Sequence, residues 1–279
     1  MTGSRAASRQ ELPTDADQLE PMGEEFDLAL EAGLDELGLL NGPAAAPLAR
    51  RSYEAHARLL RDWSAAINLT AIREPAAIAR RHTCDSLSAV DRLAGLTVPG
   101  ATLLDLGSGG GYPGLPLAAA LPLTRVALVD SVGKKARFLR VAATAVASVL
   151  ATAADAAPTI ETMSERAEDL AEEPDQRAAW GIVTARAVGS LAEVIELAMP
   201  LVREGGAVVA WKREEERGGL RAELRDAGSI IRASGGGRPE VLTIEASFLA
   251  GHRLVVVPKQ RPTPASYPRP ASIRRRRKR

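Results

Sequence analysis

The chain is 279 residues long, 46% hydrophobic and 25% charged, and its formal net charge at pH 7 is only +1. This size fits one large domain with extensions or two small domains, with enough apolar residues for a substantial core. A single cysteine, Cys84, excludes disulfide bonds within the chain and is typical of a reducing cytoplasm. The longest charge-free run, residues 106–124, contains five glycines and three prolines, which excludes a membrane span, and residues 1–17 lack the apolar stretch of a signal peptide. We therefore expect a cytoplasmic protein with no membrane partner.

Opposite charges collect at the two ends of the chain. Residues 1–36 hold ten acidic residues and two arginines, whereas residues 259–279 hold nine basic residues and no acid. Residues 1–23 are polar with few large apolar groups, which predicts a disordered acidic N-terminus. The prolines and like charges of residues 259–279 predict a disordered, extended basic tail. Such a tail commonly follows a phosphate backbone, although it could also serve only to keep the protein soluble.

Residues 24–98 have the apolar spacing of helices. Large apolar residues recur every three or four positions in two long stretches, which predicts two amphipathic helices. These helices are predicted at residues 26–40 and 48–67, and shorter ones begin at residues 74 and 85. The sequence therefore predicts an N-terminal helical section before the first strand.

Residues 99–258 alternate between strand and helix patterns. Strands are predicted at residues 102–106, 125–129, 158–163, 182–185, 207–211, 230–233, 240–246 and 253–257, and helices at 113–121, 134–149, 191–199 and 214–227. The last two strands are expected to form a hairpin. This alternation predicts an α/β three-layer sandwich with a mainly parallel sheet.

A glycine cluster follows the first predicted strand and indicates a nucleotide-like ligand. Glycines at 109, 111 and 114 fit the dinucleotide pattern G-x-G-x-x-G, which is a weak signal alone. Counted from Gly107, the first glycine after the strand, that pattern places Tyr112 where its third glycine should be. Pro113 and Pro116 also remove N–H groups that a pyrophosphate would need. The spacing of Asp105, Gly107, Gly109 and Gly111 instead resembles the first motif of S-adenosylmethionine (SAM) methyltransferases, and a glycine turn without a ligand is the remaining alternative.

Asp130 ends the second predicted strand, about 20 residues after the glycine turn. A carboxylate in that place can accept hydrogen bonds from the hydroxyls of a ribose. Both NAD and SAM carry this ribose, so Asp130 indicates an adenosine cofactor without choosing between them. Alternatively, Asp130 caps the helix that follows.

Several stretches together resemble the RsmG (GidB) family, in consistent order over about residues 28–260. They are Ile67-Asn68-Leu69-Thr70-Ala71-Ile72-Arg73, Arg81-His82-Thr83-Cys84-Asp85-Ser86-Leu87, the glycine turn, Asp130-Ser131-Val132-Gly133-Lys134-Lys135-Ala136-Arg137-Phe138-Leu139, Arg166-Ala167-Glu168-Asp169, Thr184-Ala185-Arg186-Ala187 and Ala210-Trp211-Lys212. The chain departs from the family at Tyr112, commonly Phe or Leu there, at Thr83-Cys84, often Phe-Leu there, and in residues 273–279. The family consists of bacterial enzymes of the SAM-dependent α/β fold that methylate N7 of a guanine in 16S ribosomal RNA, at position 527 in ribosomal numbering.

The resemblance implies a set of site residues and partners. SAM is the expected cofactor, 16S rRNA or the small ribosomal subunit the expected partner, and a monomer the expected state. The resemblance implies that Gly107 and Tyr112 line the SAM site, that Asp130, Ser131 and Val132 hold its ribose side, that Ala167 and Glu168 hold its adenine edge, and that Arg186 lies on the far side near the substrate. From the residues alone, Glu168 could equally be one acid on a solvated helix.

The residues predict positioning and not acid–base chemistry. Guanine N7 carries a lone pair and no proton, so its methylation needs no general base. Arg186 ends the fourth predicted strand, where it could bind the SAM carboxylate or an RNA phosphate; we interpret it as a positioning residue, with a surface ion pair to Glu193 as the alternative. His82 and Asp85, three residues apart, favour helix capping and a satisfied histidine. Three histidines and one cysteine, far apart in sequence, predict no metal site.

Nucleic-acid contacts are expected from basic and aromatic side chains. Tyr112 and Trp211 are candidates for stacking on the target base, although each also fits a core position. The candidate phosphate ligands are Arg73, Arg80, Arg81, Lys134, Lys135, Arg137, Lys212 and Arg213. Two other functions stay open at this point: an NAD-dependent oxidoreductase of similar architecture and a catalytically silent RNA-binding protein. The intact glycine turn and Asp130 argue against the silent protein.

Overall fold

The structure is a computed structural model that describes residues 12–152, 157–214 and 219–275. Its N-terminal part differs from the predicted disorder, because residues 12–23 pack on a long helix, α2 (Pro47–Ile67). The Trp63 indole N–H donates to the carbonyl of Pro13 at 2.7 Å, and Arg61 donates to the carbonyl of Glu20 at 2.7 Å. Side chains of α2 thus supply the donors that this polar segment needs. Residues 1–11 of the predicted disordered segment lie outside the described residues.

The predicted N-terminal helical section contains short and long helices. Helix α1 (Glu24–Glu36) precedes α2 and ends four residues before the prediction. Of the large apolar residues that the helical spacing singled out, the two helices bury Phe26, Leu30, Leu34, Tyr53, Leu59, Leu60 and Trp63. Leu37 and Leu40 follow α1 and are half-buried. A third helical segment then runs through α3 (Pro75–Ile78), a π-helical turn (Ala79–Cys84) and α4 (Asp85–Leu87), followed by α5 (Val90–Ala94). The π turn carries His82 and leads directly into Asp85.

Among the described residues, seven strands form one mixed sheet. They are β1 (Thr102–Leu106), β2 (Arg125–Val129), β3 (Thr159–Met163), β4 (Trp180–Arg186), β5 (Val202–Arg213), β6 (Glu240–Thr243) and β7 (His252–Pro258). Their order across the sheet is β3-β2-β1-β4-β5-β7-β6. The first five strands are parallel, whereas β7 runs antiparallel to both β5 and β6. The antiparallel strand next to β5 departs from the 3-2-1-4-5-6 order of dinucleotide-binding sheets.

Helices cover both faces of this sheet. They are α6 (Gly114–Ala120), α7 (Gly133–Ala151), α8 (Ala167–Leu170), α9 (Leu191–Ala198), α10 (Gly219–Ala233) and α11 (Ala271–Arg275). Alternate strand residues enter two separate cores. Leu103 belongs to the core that also contains residues of α1, α2, α6 and α7, and Leu104 belongs to the core that contains residues of α8, α9 and α10. The predicted α/β three-layer sandwich with a mainly parallel sheet is therefore confirmed. No helix among the described residues is long and apolar enough to cross a membrane.

Two predicted strands differ in the structure. Residues 230–233 form the last turn of α10, because Ile230 and Ile231 fall on its buried face and pack into the second core. Strand β5 begins at Val202, five residues before the prediction. Its pairing with β4 shifts register between Trp180 and Ile182, and Gly205, at φ +78°, takes the left-handed backbone conformation within this bulge. The predicted hairpin of the last two strands is confirmed as the antiparallel pair β6 and β7.

The basic tail also differs from the prediction, because residues 259–275 are packed against the domain. The Arg177 guanidinium donates to the carbonyls of Pro264 and Tyr267, both at 3.0 Å. The Lys259 ammonium donates to the carbonyl of Met199 at 2.7 Å. Burial lowers the pKa of Lys259 to about 8. The sequence shows many cations in this segment, but it does not show the internal acceptors that hold them. Residues 276–279 lie outside the described part of the chain.

Candidate functional site

The glycine turn sits at the carboxyl end of β1, beside the point where the strand order reverses between β1 and β4. Ligands of open α/β sheets bind in the crevice at such a point. Gly107, Gly109 and Gly111 all have positive φ, at +72°, +54° and +83°. A Cβ on Gly107 would lie only 2.8 Å from a methyl carbon of Val188. The backbone at Gly107 thus depends on the missing side chain for both its conformation and its space.

Asp105 holds this turn from beneath. Its carboxylate is fully buried and accepts from the Thr184 hydroxyl at 2.9 Å and from the Gly114 N–H at 3.1 Å. Burial raises the pKa of Asp105 to about 6, against the lowering effect of these hydrogen bonds. Asp105 therefore ties β1 to β4 and to the start of α6 and plays a structural part.

A cavity of about 820 Å³ opens in front of the turn, and six of the eight predicted cofactor residues line it. They are Gly107, Asp130, Ser131, Val132, Ala167 and Glu168. The Asp130 carboxylate accepts from the N–H of Gly109 at 3.1 Å and from the N–H of Val132 at 2.9 Å. Val132, and not Asp130, precedes the first residue of α7, so Asp130 bridges the ends of β1 and β2 and does not act as a simple helix cap.

Glu168 meets the C-terminal segment at the cavity wall. Its carboxylate forms an ion pair with Arg274. Burial pushes the pKa of Glu168 upward, but a hydrogen bond from its own backbone and the pairing with Arg274 hold it below the ordinary value. Arg269, Ala271 and Arg274 line the same cavity. The tail that was expected to be disordered thus forms part of the predicted cofactor site.

Tyr112 and Arg186, the other two predicted site residues, do not line the cavity. The Tyr112 ring is buried and stacks with the rings of His56 and His82, at centroid distances of 4.3 and 5.0 Å. The Arg186 guanidinium lies 5.4 Å from the centre of the Tyr112 ring. These residues belong to a neighbouring cluster because the turn after Gly111 directs the ring toward α2 and the π turn, away from the cavity.

An acid holds this cluster together. Asp85 accepts from Arg186 at 2.7 Å and contacts His252 Nδ1 at 3.0 Å. The ion-pair partner of Arg186 is therefore Asp85 and not Glu193, the alternative that the sequence left open. Asp85 makes no helix-capping bond either, so its predicted capping role is replaced by this ion pair. We call His56, His82, Asp85, Tyr112, Arg186 and His252 the histidine cluster.

Two histidines of the cluster are held neutral. His56 Nε2 lies 2.7 Å from the carbonyl of Gly110, and His82 Nε2 lies 2.9 Å from the Thr70 hydroxyl. Burial lowers the pKa of His56 to about 4 and, together with the nearby Arg186, that of His82 to about 3. His82 is satisfied as predicted, but its grouping with His56 and His252 was missed. The sequence indicated this grouping only by having three histidines, since local spacing does not predict contacts between residues far apart in the chain.

The predicted nucleic-acid ligands divide into available and occupied side chains. Arg73, Arg80, Arg81 and Arg213 are exposed. Lys212 is occupied, because its ammonium contacts Glu223 and the carbonyl of Gly189, both at 2.7 Å. Trp211 is buried and donates to the carbonyl of Asp85 at 2.8 Å, which matches the core alternative, as does buried Tyr112. Within the described ranges, no group of three or more His, Cys, Asp or Glu residues is arranged to hold a metal ion.

Comparison with known proteins connects this geometry to one family. The family model described as rRNA small subunit methyltransferase G matches residues 50–228. A ribosomal RNA small subunit methyltransferase G of Roseiflexus sp. is 38% identical over 233 residues, which are 82% of this chain and 93% of the relative. The protein of the same description from Deinococcus radiodurans is 38% identical over 258 residues, 91% of each chain.

These matches confirm the resemblance seen in the sequence motifs, including SAM as the cofactor. They also exclude the two other functions, an oxidoreductase and a silent RNA-binding protein, since the family model and both relatives are described as methyltransferases and match most of the chain. The chain belongs to the rRNA small subunit methyltransferase G family of SAM-dependent enzymes.

Proposed function

We propose that the enzyme transfers the methyl group of SAM to N7 of a guanine in 16S rRNA, the guanine at position 527 in ribosomal numbering. It does so in the cytoplasm, as a single chain and without a metal ion. The observation that carries this proposal is the convergence of the glycine turn, Asp130 and Glu168 on one cavity at the switch point of the sheet.

The residues around the cavity fit SAM. The bare backbone at Gly107 admits close approach of a ligand, since any Cβ there would fill the space beside Val188. The Asp130 carboxylate accepts hydrogen bonds from two backbone N–H groups, and its remaining lone pairs can accept from the ribose hydroxyls. On the other wall, the Glu168 carboxylate and the Ala167 N–H suit the adenine edge.

Methyl transfer to guanine N7 requires the protein chiefly to align the two reactants. When bound, SAM supplies a methyl group that its sulfonium has already activated. Guanine N7 offers its lone pair without losing a proton, so the neutral histidines have no proton to remove. The residues of the chain therefore orient the two reactants and exclude water.

Arg186 serves this alignment as a positioning residue. The purine becomes cationic as it is methylated, so an unpaired guanidinium nearby would oppose the reaction. The 2.7 Å pair with Asp85 offsets that charge. The buried pair thus lets Arg186 orient an anionic group beside the site with a small electrostatic penalty.

We place the RNA on the edge that carries the histidine cluster. Exposed Arg80 and Arg81 directly precede His82, and exposed Arg213 on β5 lies opposite His252 on β7 in the register of these two strands. Guanidinium groups in these places can contact phosphates and position the strand. Base recognition then falls to groups nearer the cluster.

Methyl transfer to small ribosomal subunits that lack the modification tests this proposal. Labelled SAM and nucleoside mass spectrometry should give one 7-methylguanosine per 16S rRNA. The Gly107→Asp variant should lose both SAM binding and transfer, whereas Gly95→Asp, at an exposed glycine with negative φ, should keep both. SAM binding without transfer to this RNA would contradict the proposed substrate.

A further inference from the structure

Residues 263–274 form a strap that crosses the domain beside the cavity. Arg177 fixes its start through the carbonyls of Pro264 and Tyr267. Arg269 fixes its middle, because its backbone N–H and its guanidinium bind the buried Glu196 carboxylate at 3.1 and 2.6 Å. The strap is therefore anchored before it reaches Arg274.

Arg274 joins this anchored strap to Glu168. Its side chain is only 10% exposed, and the Glu168 side chain is 24% exposed. The guanidinium pairs with one Glu168 oxygen and also donates to the carbonyl of Arg269 at 3.2 Å. Because a carboxylate offers about four lone-pair sites, Glu168 keeps capacity for a ligand donor.

The strap is a wall of the cavity and not a plug. With residues 269–274 in place, the cavity still measures about 820 Å³. Pockets for ligands the size of a nucleoside derivative span about 300–1,000 Å³. The cavity therefore has room for the cofactor while the Arg274 pair is intact.

We propose that Arg274 is a positioning residue that fixes the Glu168 carboxylate so that it selects adenine through its exocyclic amine. The inference rests on the proposed function, which places adenine at Glu168. Adenine presents an N–H donor at that position, whereas hypoxanthine presents a carbonyl oxygen that a fixed carboxylate repels. A carboxylate free to rotate would turn away from the carbonyl and discriminate less.

Binding of two ligands to the full-length protein tests the proposal. S-adenosylhomocysteine and its inosine counterpart differ at the C6 substituent and at N1, which carries a proton only in the inosine ligand, and calorimetry gives the ratio of their dissociation constants. The N1 difference is common to all variants, so a change in the ratio between variants reports the contact at the exocyclic group. We expect the wild-type protein to prefer the adenine ligand by roughly tenfold or more, as for a charge-assisted hydrogen bond. Arg274→Gln should lower this ratio several-fold, Arg274→Lys should retain part of it, and Arg261→Gln should leave it unchanged. Arg261 is the matched control, because it lies in the same tail and binds the carbonyl of Arg232 instead.

The outcomes separate the inference from the proposed function. An equal loss of affinity for both ligands in Arg274→Gln would mean that Arg274 only builds the wall, and tighter binding would mean that the strap is a plug; both overturn the inference. Glu168→Gln should lower the ratio more than Arg274→Gln does, and the part that remains reflects the N1 difference. If it does and Arg274→Gln keeps the wild-type ratio, only the inference fails. If Glu168→Gln keeps the ratio, the placement of adenine fails as well.

Discussion

Arg186 and Asp85 form a 2.7 Å ion pair across 101 residues of sequence, between the end of β4 and the first residue of α4. Asp85 is almost fully buried and Arg186 is largely so, at 5% and 17% side-chain exposure. The same carboxylate contacts His252, and the same guanidinium lies over Tyr112. This pair therefore couples the N-terminal helical section to the far strands of the sheet, next to the proposed methyl-transfer site.

Asp85→Asn should weaken both folding and catalysis. Breaking a buried ion pair leaves an uncompensated charge and typically costs about 3–5 kcal/mol of unfolding free energy. We expect kcat for methyl transfer to fall more than tenfold, as for a loss above about 1.4 kcal/mol, because an unpaired Arg186 opposes the purine that becomes cationic. SAM affinity should change little, because the pair lies outside the cavity. Urea unfolding, calorimetry with SAM and steady-state kinetics measure the three effects.

Arg92→Gln is the control for this variant. Arg92 pairs with Glu240 at 2.9 Å, but both side chains are substantially exposed, at 32% and 48%. Such surface pairs contribute about 0–1 kcal/mol. An Asp85→Asn protein as stable and as active as Arg92→Gln would show that the buried pair has no special role.

Gly107→Ala should reduce SAM affinity more than it reduces stability. The new Cβ meets Val188 at 2.8 Å in a backbone with φ +72°, so the turn must shift. A left-handed conformation costs a non-glycine residue about 1–2 kcal/mol. Displacement of the cavity wall should add a roughly tenfold loss of SAM affinity, equivalent to about 1.4 kcal/mol.

Gly100→Ala separates backbone strain from the effect on the cavity. Gly100 has a similar φ of +81°, but nothing lies within 4 Å of its added Cβ and it does not line the cavity. It should therefore lose stability and keep SAM affinity. Equal SAM affinities in the two variants would mean that Gly107 is needed only for its conformation.

Local patterns predicted the parts of this molecule that depend on local physics. The glycine turn and Asp130 could be placed because strand ends and turn residues follow from spacing and backbone conformation. The histidine cluster could not, since His252 and Asp85 meet across 167 residues. The strap was missed for a related reason: its cations look solvated in sequence, and the buried partner Glu196 becomes visible only in the folded chain. Residues 230–233 were misassigned because a short β-branched run fits a strand and a buried helix face equally well.

The buried histidines should make the protein less stable in mild acid. His56 has a pKa of about 4 in the folded protein, whereas an unfolded histidine has its ordinary value near 6.5. The unfolded state therefore binds the proton first, and stability that is complete above about pH 6.5 falls as the pH drops toward 4. At pH 5 this amounts to about 2 kcal/mol for His56, and His82 adds an effect of the same sign.

His56→Gln isolates this contribution. The glutamine amide can still donate to the carbonyl of Gly110, but it does not titrate. Asp105, whose raised pKa of about 6 favours the folded state in acid, is present in both proteins and cancels in the comparison. Chemical denaturation at pH 7 and pH 5 should show a smaller loss in the variant. Equal losses would mean that His56 is protonated in the folded protein as readily as in the unfolded one.

Two truncations should divide the tail into a structural and an electrostatic part. Removing residues 261–279 leaves Glu196 buried without Arg269 and removes the acceptors of Arg177 at Pro264 and Tyr267, so we expect a loss of about 3 kcal/mol or more and weaker SAM binding. Removing residues 276–279 deletes four cations while the strap remains. If these cations contact RNA, each should contribute about 0.7–0.9 to the slope of log K against log salt. Filter binding to 16S rRNA across a salt series should thus show a flatter slope for the short truncation, with stability and SAM affinity unchanged; an unaltered slope would remove those residues from RNA binding.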